Sequence, residues 1–206
     1  MNSIEHCFLY GIVDLGYVKP RDVPDMTRKL VRGGIDLLQL RAKSRSLDEI
    51  LRITQEMLLI TQPAGVPLIV NDYPQLLAKV HAEGCHLGQE DGGIQWARQI
   101  AGRPVLVGRS THSIDQAIAA EQEGADYIAF GPLFSTPTKP DATPIGLTDL
   151  RKLHARVRIP IFCIGGIKEA NLRKVTDAGA ERVCIVSDLL TATDPVAKVR
   201  AVKADL

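Results

Sequence analysis

Short runs of apolar and β-branched residues alternate along the chain with longer stretches in which apolar side chains recur every three or four positions. The first pattern suits buried strands and the second amphipathic helices, and their regular alternation is that of repeated βα units. Strands are predicted at Phe8 to Asp14, Asp36 to Arg41, Pro67 to Asn71, Gly84 to Leu87, Val105 to Gly108, Asp126 to Phe130, Pro160 to Ile164 and Arg182 to Val186. Helices are predicted at Asp22 to Arg32, Leu47 to Ile60, Pro74 to Ala82, Ile94 to Ala101, Ile114 to Glu123, Leu147 to Ala155, Glu169 to Ala178 and Pro195 to Lys203. Ser46 and Ser113 stand where N-caps belong, and Gly33, Gly84, Gly102, Gly124 and Gly179 where a helix gives way to a strand.

Eight such units with one composition throughout predict an α/β protein, a single-domain (β/α)8 TIM barrel over residues 1–206. An open doubly wound sheet fits less well, because the first βα turn lacks the G-x-G-x-x-G fingerprint. Charge narrows the function: 25 basic and 24 acidic residues leave a net charge of +1, which gives no general attraction to nucleic acid or to a membrane surface. No stretch reaches the ~18 apolar residues of a membrane span, and no basic segment followed by a long apolar run opens the chain. Cys7, Cys85, Cys163 and Cys184 have no metal-like spacing and read as buried free thiols, so a cytoplasmic protein is expected. Nothing here fixes the oligomeric state, and a homo-oligomer is compatible with the sequence.

In a barrel the chemistry collects where the strands end. Strand two closes with Gln39, Arg41 and Lys43 in alternation, so the three share a face and bring two cations to one place. Strand three closes on Asn71-Asp72, and strand four leads through His86 to Asp91, which offers two carboxylates from adjacent ends to one cation. Oxygen ligands without cysteine or a spaced histidine pair favour Mg2+ over zinc. Strand five ends in Arg109-Ser110-Thr111-His112, with hydroxyls and a proton carrier, although a lone histidine is more often structural. Strand six runs into the long loop from Pro132 to Ile145, where Ser135, Thr136, Thr138 and Lys139 supply phosphate donors. Strand seven ends in Gly165-Gly166 and strand eight in Val186-Ser187, positions where barrels often hold a phosphate on backbone N–H groups. The rim thus divides into a diphosphate-plus-metal half and a monophosphate half. Transfer of an organic group from a diphosphate fits this better than hydrolysis or redox chemistry.

The segments QLRAK (39–43), NDYPQLLAKVHAEGCHLGQED (71–91), GRSTHS (108–113), ADYIAFGPLFSTPTKP (125–140), PIFCIGGI (160–167) and VCIVSD (183–188) resemble the thiamine phosphate synthase family in order and spacing over nearly the whole chain. The resemblance implies a (β/α)8 barrel that uses Mg2+ to join a hydroxymethylpyrimidine diphosphate to a thiazole phosphate, with diphosphate departing first. It implies that Gln39 faces the pyrimidine and that Arg41, Lys43, Asn71, Ser110 and Lys139 bind the diphosphate, Arg41, Lys43, Ser110 and Lys139 being the catalytic set. It further implies Asp72 and Asp91 as Mg2+ ligands, and Thr136, Thr138, Gly166, Val186 and Ser187 as the cradle of the thiazole phosphate. Two positions depart from the family pattern: Val13 precedes Asp14 where many members have threonine, and Asp188 follows Ser187 where a small apolar residue is usual. Asp188 is therefore expected to point away from the phosphate.

Two other readings use the same barrel. A thiazole tautomerase is compatible with GRSTHS and His112, but does not call for Lys43 and Asp91. A non-catalytic sensor of a phosphate ligand would keep the monophosphate half and lose the metal half.

Overall fold

The computed structural model describes residues 4–206, so the first three positions of the expected domain lie outside the described residues. Eight parallel strands close on themselves in chain order: β1 Leu9–Asp14, β2 Leu37–Arg41, β3 Leu68–Asn71, β4 Gly84–Leu87, β5 Leu106–Thr111, β6 Tyr127–Phe130, β7 Ile161–Ile164 and β8 Arg182–Ile185. Closure is made by β1 against β8, with Leu9 opposite Val183 and Gly11 opposite Ile185. The helices are α1 Val23–Gly33, α2 Leu47–Thr61, α3 Ile94–Ala101, α4 Ile114–Glu123, α5 Leu150–Arg156, α6 Glu169–Asp177, α7 Ser187–Leu190 and α8 Pro195–Ala204. This is the predicted (β/α)8 barrel. No helix among the described residues is long and apolar enough to cross a membrane.

The alternation of side chains along each strand sorts the core into two bodies. Outward-facing Leu38, Leu40, Val70, Val107, Ile128, Cys163 and Val183 pack under the helices, whereas Tyr10, Ile12, Leu37, Ile69, Leu106, Tyr127, Phe162 and Cys184 fill the lumen. Three rings dominate there, with Tyr10 and Phe162 centroids 5.2 Å apart, Tyr127 and Phe162 5.7 Å, and Tyr10 and Tyr127 5.9 Å, all edge to face. Such contacts between aromatic edges and faces add about 0.5–1.5 kcal/mol each beyond burial. All four cysteines are free and buried.

The end signals hold in part. Ser46 and Ser113 cap α2 and α4, accepting from the N–H groups of Glu49 and Gln116, each at 3.2 Å. Gly102 and Gly124 end α3 and α4 in left-handed conformation, and Gly179 adopts one just beyond α6. Gly33 is instead the last residue of α1, and Gly34 provides the left-handed turn. Gly84 ends no helix; it lies in β4, where a Cβ would stand 2.0 Å from the Leu106 carbonyl oxygen. The helix predicted from Pro74 is a 3-10 turn over Pro74–Ala78, because the chain must re-enter the sheet at Gly84. Strand β5 runs on to Thr111, since Ser110 and Thr111 pair with Ala129 and Phe130 of β6. Helix α5 begins at Leu150 rather than Leu147, and the short α7 directly after β8 was not foreseen.

Lumen packing leaves no room at Gly108, where a Cβ would lie 2.1 Å from the Tyr127 ring. Gly108→Ala should therefore destabilise by about 1–3 kcal/mol through overpacking. At about 2–4 °C per kcal/mol for a chain of this size, thermal unfolding should show a drop of several degrees, and an unchanged midpoint would mean that the ring is not so confined.

Candidate active site

The C-terminal ends of the strands open on a cavity lined by Gln39, Arg41, Asn71, Ser110, Gly166, Val186 and Ser187, and by Thr136, Thr138 and Lys139 of the β6–α5 loop. Lys43, Asp72 and Asp91 do not line it. They form a connected group just beyond β2, β3 and β4, and Lys139 feels the charges of all three. The predicted site residues thus come together from seven strand ends.

Arg41 is fixed by Asp14 at the end of β1, its Nη1 lying 2.6 Å from Asp14 Oδ2 with only 17% and 3% of the two side chains exposed. Asp14 Oδ1 also accepts from the Gly16 N–H at 2.8 Å, which locks the carboxylate that orients the guanidinium. Lys43 forms an ion pair with Asp72 at its buried Oδ2. Asp72 holds a left-handed φ of +64°, uncommon outside glycine, with its N–H on the His86 carbonyl at 2.9 Å. Asp91 Oδ2 accepts from the Gly88 N–H at 2.7 Å, and Arg109 clamps this turn from outside through the carbonyls of Gly88 at 2.7 Å and Gly92 at 2.9 Å.

The two carboxyl groups ionise unequally. Burial raises Asp72, Lys43 pulls it down and Asp91 pushes it up again, and the net shift is upward. Burial acts on Asp91 too, but the Gly88 N–H, Asp72, Lys43 and Arg109 outweigh it and hold that carboxyl below the ordinary value. Two acids in mutual reach, one reluctant to ionise, suit a small hard cation, and no group of three potential ligands occurs among the described residues. Mg2+ commonly takes one or two carboxylates and completes its shell with water and phosphate oxygens, so the residues fit it. Burial first, then Arg41 and Lys43, lower the Lys139 ammonium, against which Asp72 and Asp91 act only partly. Three cations are thus crowded toward one space, an arrangement that a polyanion relieves.

The β6–α5 loop is pinned at its start: Leu133 and Phe134 donate to the carbonyls of Ile164 and Gly165 at 2.8 and 3.0 Å, and Ile145 donates to that of Pro132 at 2.8 Å. Tyr17 OH meets Thr138 Oγ1 at 3.0 Å and ties the hydroxyl-rich tip to the β1–α1 loop. This changes the meaning of the paired glycines. A Cβ on Gly165 would stand 2.3 Å from Pro132 Cα, and one on Gly166 2.6 Å from the Ser135 carbonyl oxygen, so their bareness admits the loop. Asp188 points away from the cavity as expected, accepting from the Glu169 N–H at 3.0 Å and lying 3.8 Å from Lys198 Nζ. His112 turns Nδ1 to the Gly131 carbonyl and its backbone N–H to Gln116 Oε1, which makes it a fastener of the β6 exit.

Several participants escaped the sequence reading. Tyr10, Tyr127 and His86 form a buried hydrogen-bonded series that joins Gln39 to Ser110, with Tyr10 OH to Tyr127 OH at 3.1 Å, Tyr127 OH to His86 Nδ1 at 3.1 Å and His86 Nε2 to Ser110 Oγ at 3.0 Å. A polar tip on an inward strand position was the available signal for both tyrosines. Asp14 was visible only as a strand terminus.

Barrel and rim together define a (β/α)8 enzyme whose strand ends gather cations, hydroxyls and a carboxylate pair about one cavity. The family model described as thiamine monophosphate synthase matches residues 9–189, and the chain belongs to this family. The thiamine-phosphate synthase of Chloroflexus aurantiacus is 40% identical over 197 residues, covering 95% of this chain and 91% of that protein. That of Methanocella arvoryzae is 39% identical over 197 residues, with 95% and 93% covered. Among solved structures, thiamine phosphate pyrophosphorylase from Pyrococcus furiosus superposes with a TM-score of 0.89 at 31% identity, over 99% of this chain and 97% of that one. Tryptophan synthase of Mycobacterium tuberculosis, at 14% identity and a TM-score of 0.72, shares the fold.

Two outcomes follow from the geometry. Gly166→Ala should push on Ser135 and free the loop, which limited proteolysis would register as faster cleavage between Ser135 and Asp141; unchanged cleavage would separate the glycine from the loop. Because the Asp72 carboxyl is raised in the folded state, its ionisation opposes folding as pH climbs above the ordinary value of 3.8. Asp72→Asn should therefore raise thermal stability at neutral pH in the presence of a chelator, and the gain should vanish below that value. Added Mg2+ should stabilise the unsubstituted chain more than the variant. A variant less stable at neutral pH would assign Asp72 a purely structural role.

Proposed function

We propose that the chain joins 4-amino-5-hydroxymethyl-2-methylpyrimidine diphosphate to 4-methyl-5-(2-hydroxyethyl)thiazole phosphate, giving thiamine phosphate and diphosphate. The observation that carries this reading is the convergence of Arg41, Lys43 and Lys139 beside the Asp72–Asp91 pair. A tautomerase acting on a monophosphate needs no such group, and neither does a phosphate sensor.

Arg41, Lys43 and Lys139 bind the diphosphate as cations, and Asn71 and Ser110 as neutral donors. Gln39 faces the pyrimidine. Asp72 and Asp91 hold Mg2+, which when bound neutralises charge on the departing group. The bond between the pyrimidine methylene carbon and the diphosphate oxygen breaks with its electron pair going to oxygen. The three cations favour this because negative charge grows on that oxygen in the transition state. The thiazole nitrogen then gives its lone pair to the methylene carbon. Thr136, Thr138, Gly166, Val186 and Ser187 cradle the thiazole phosphate, with Ser187 opening α7 at the end of β8. No side-chain nucleophile is required, and His86, held neutral by burial, supplies no proton. We place the protein in the cytoplasm, where both substrates are small soluble anions.

The test is diphosphate release with both substrates and Mg2+, matched mole for mole by thiamine phosphate. Lys43→Ala should lower turnover by about two to three orders of magnitude, the scale on which one transition-state donor is lost. Its circular dichroism should be unchanged, because the Lys43 side chain is 52% exposed and packs little. A Lys43→Ala protein with full turnover would remove this lysine from the reaction.

A further inference from the structure

Side chains from five different strands form one unbroken hydrogen-bonded series through the lumen: Gln39 of β2, Tyr10 of β1, Tyr127 of β6, His86 of β4 and Ser110 of β5. Each phenol has one hydrogen to give, and a neutral imidazole donates at one nitrogen and accepts at the other. Once the first donor is set, every later one is set too. Gln39 Nε2 donates to Tyr10 OH, and the buried Tyr10 hydrogen then has Tyr127 OH as its acceptor, as the buried Tyr127 hydrogen has His86 Nδ1, since buried hydroxyls must be paired. His86 must then carry its proton on Nε2 and donate to Ser110 Oγ. His86 is buried, and its ring nitrogens meet only the hydroxyls of Tyr127 and Ser110, surroundings that favour the neutral ring. Two groups remain unspent, the Oε1 acceptor of Gln39 and the hydroxyl hydrogen of Ser110, and both residues line the cavity.

Turning the Gln39 amide over reverses everything. Oε1 would accept from Tyr10, Tyr10 from Tyr127, and Tyr127 from His86 Nδ1–H, while Nε2 would take the hydrogen of Ser110. Gln39 would then offer the cavity a donor, and Ser110 only an acceptor.

We propose that Tyr10, Tyr127 and His86 are positioning residues that couple the two ends of the pyrimidine diphosphate site, so that the Gln39 amide orientation determines whether Ser110 presents a hydrogen to the diphosphate. This rests on the reading above, in which Gln39 faces the pyrimidine and Ser110 the diphosphate. An amino-substituted pyrimidine needs an acceptor and a diphosphate needs a donor, and only one polarity of the series supplies both. A ring with a carbonyl in place of the amino group draws out Gln39 Nε2 and withdraws the Ser110 hydrogen from the leaving group. Discrimination between amino and oxo rings is thereby felt at both ends of the substrate.

The test is the tautomer of His86, read from nitrogen–proton correlation spectra of the imidazole without substrate and assigned by comparison with His86→Asn. The unsubstituted protein should show the Nε2–H form. Gln39→Glu, examined above neutral pH, places an acceptor-only carboxylate at the head of the series and should invert His86 to Nδ1–H. With Tyr127→Phe added the series is cut, and the tautomer should be the same whether residue 39 is Gln or Glu. An Nδ1–H tautomer in the unsubstituted protein overturns the proposal, as does a folded Gln39→Glu protein that keeps Nε2–H. If Gln39→Glu does not fold, the unsubstituted tautomer still decides. Since no substrate is involved, a protein that makes no thiamine phosphate would refute the functional reading and leave the coupling intact, whereas an unmoved tautomer would refute the coupling at any activity.

Discussion

An eight-stranded barrel has little room inside, and the way this one fills that room determines the rest. Tyr10, Tyr127 and Phe162 meet edge to face in the lumen, and Gly108 is bare because the Tyr127 ring lies over it. Two of those rings carry hydroxyls that burial forbids to ionise, since it pushes both phenols far above their ordinary range. Buried hydroxyls must find partners, and theirs lie upward, at Gln39 and His86. Packing below therefore dictates orientation above.

The rim solves the opposite problem. The lumen is satisfied within itself, whereas the strand ends hold charges that are not: burial, with Arg41 and Lys43 adding to it, weakens the hold of Lys139 on its proton, and burial, with Asp91 adding to it, makes Asp72 resist ionising. Fastenings from outside keep these groups in place against mutual repulsion, with Asp14 holding Arg41, Arg109 holding the turn of Asp91, and Tyr17 holding Thr138. In the reaction proposed above, none of the three fasteners has a direct part. They supply the preorganisation that makes electrostatic stabilisation effective, because donors already aimed need not reorganise when charge develops.

Much of this was legible in the sequence, for reasons that also mark where legibility stopped. Strands buried on both faces read as continuous apolar runs, so all eight were found, and the polar residues that close them pointed to the rim. Six of the eight helices follow their periodicity closely, whereas the segment after Pro74 shows helical spacing but is too short a connection to keep a helix before Gly84. Gly84 misled because glycine signals freedom and close approach alike: it serves the neighbouring backbone at Leu106, which only the folded barrel reveals. The pairing of Arg41 with Asp14 depends on the register of β1 and β2, and the contact between Tyr10 and Tyr127 on the curvature of the whole sheet. Periodicity is a local quantity and carries neither.

The buried cysteines have a consequence of a practical kind. Burial pushes the thiol of Cys7 up to about 11 and those of Cys85 and Cys163 to about 12, and raises that of Cys184 further. Thiolate is the reactive form, so an alkylating reagent finds nothing to attack while the sheet is closed. Cys85 sits on β4, whereas Cys163 and Cys184 sit on the neighbouring strands β7 and β8, in another part of the ring. The two places are chemical clocks for different sectors, and the order in which they become labelled would record where the barrel first comes apart.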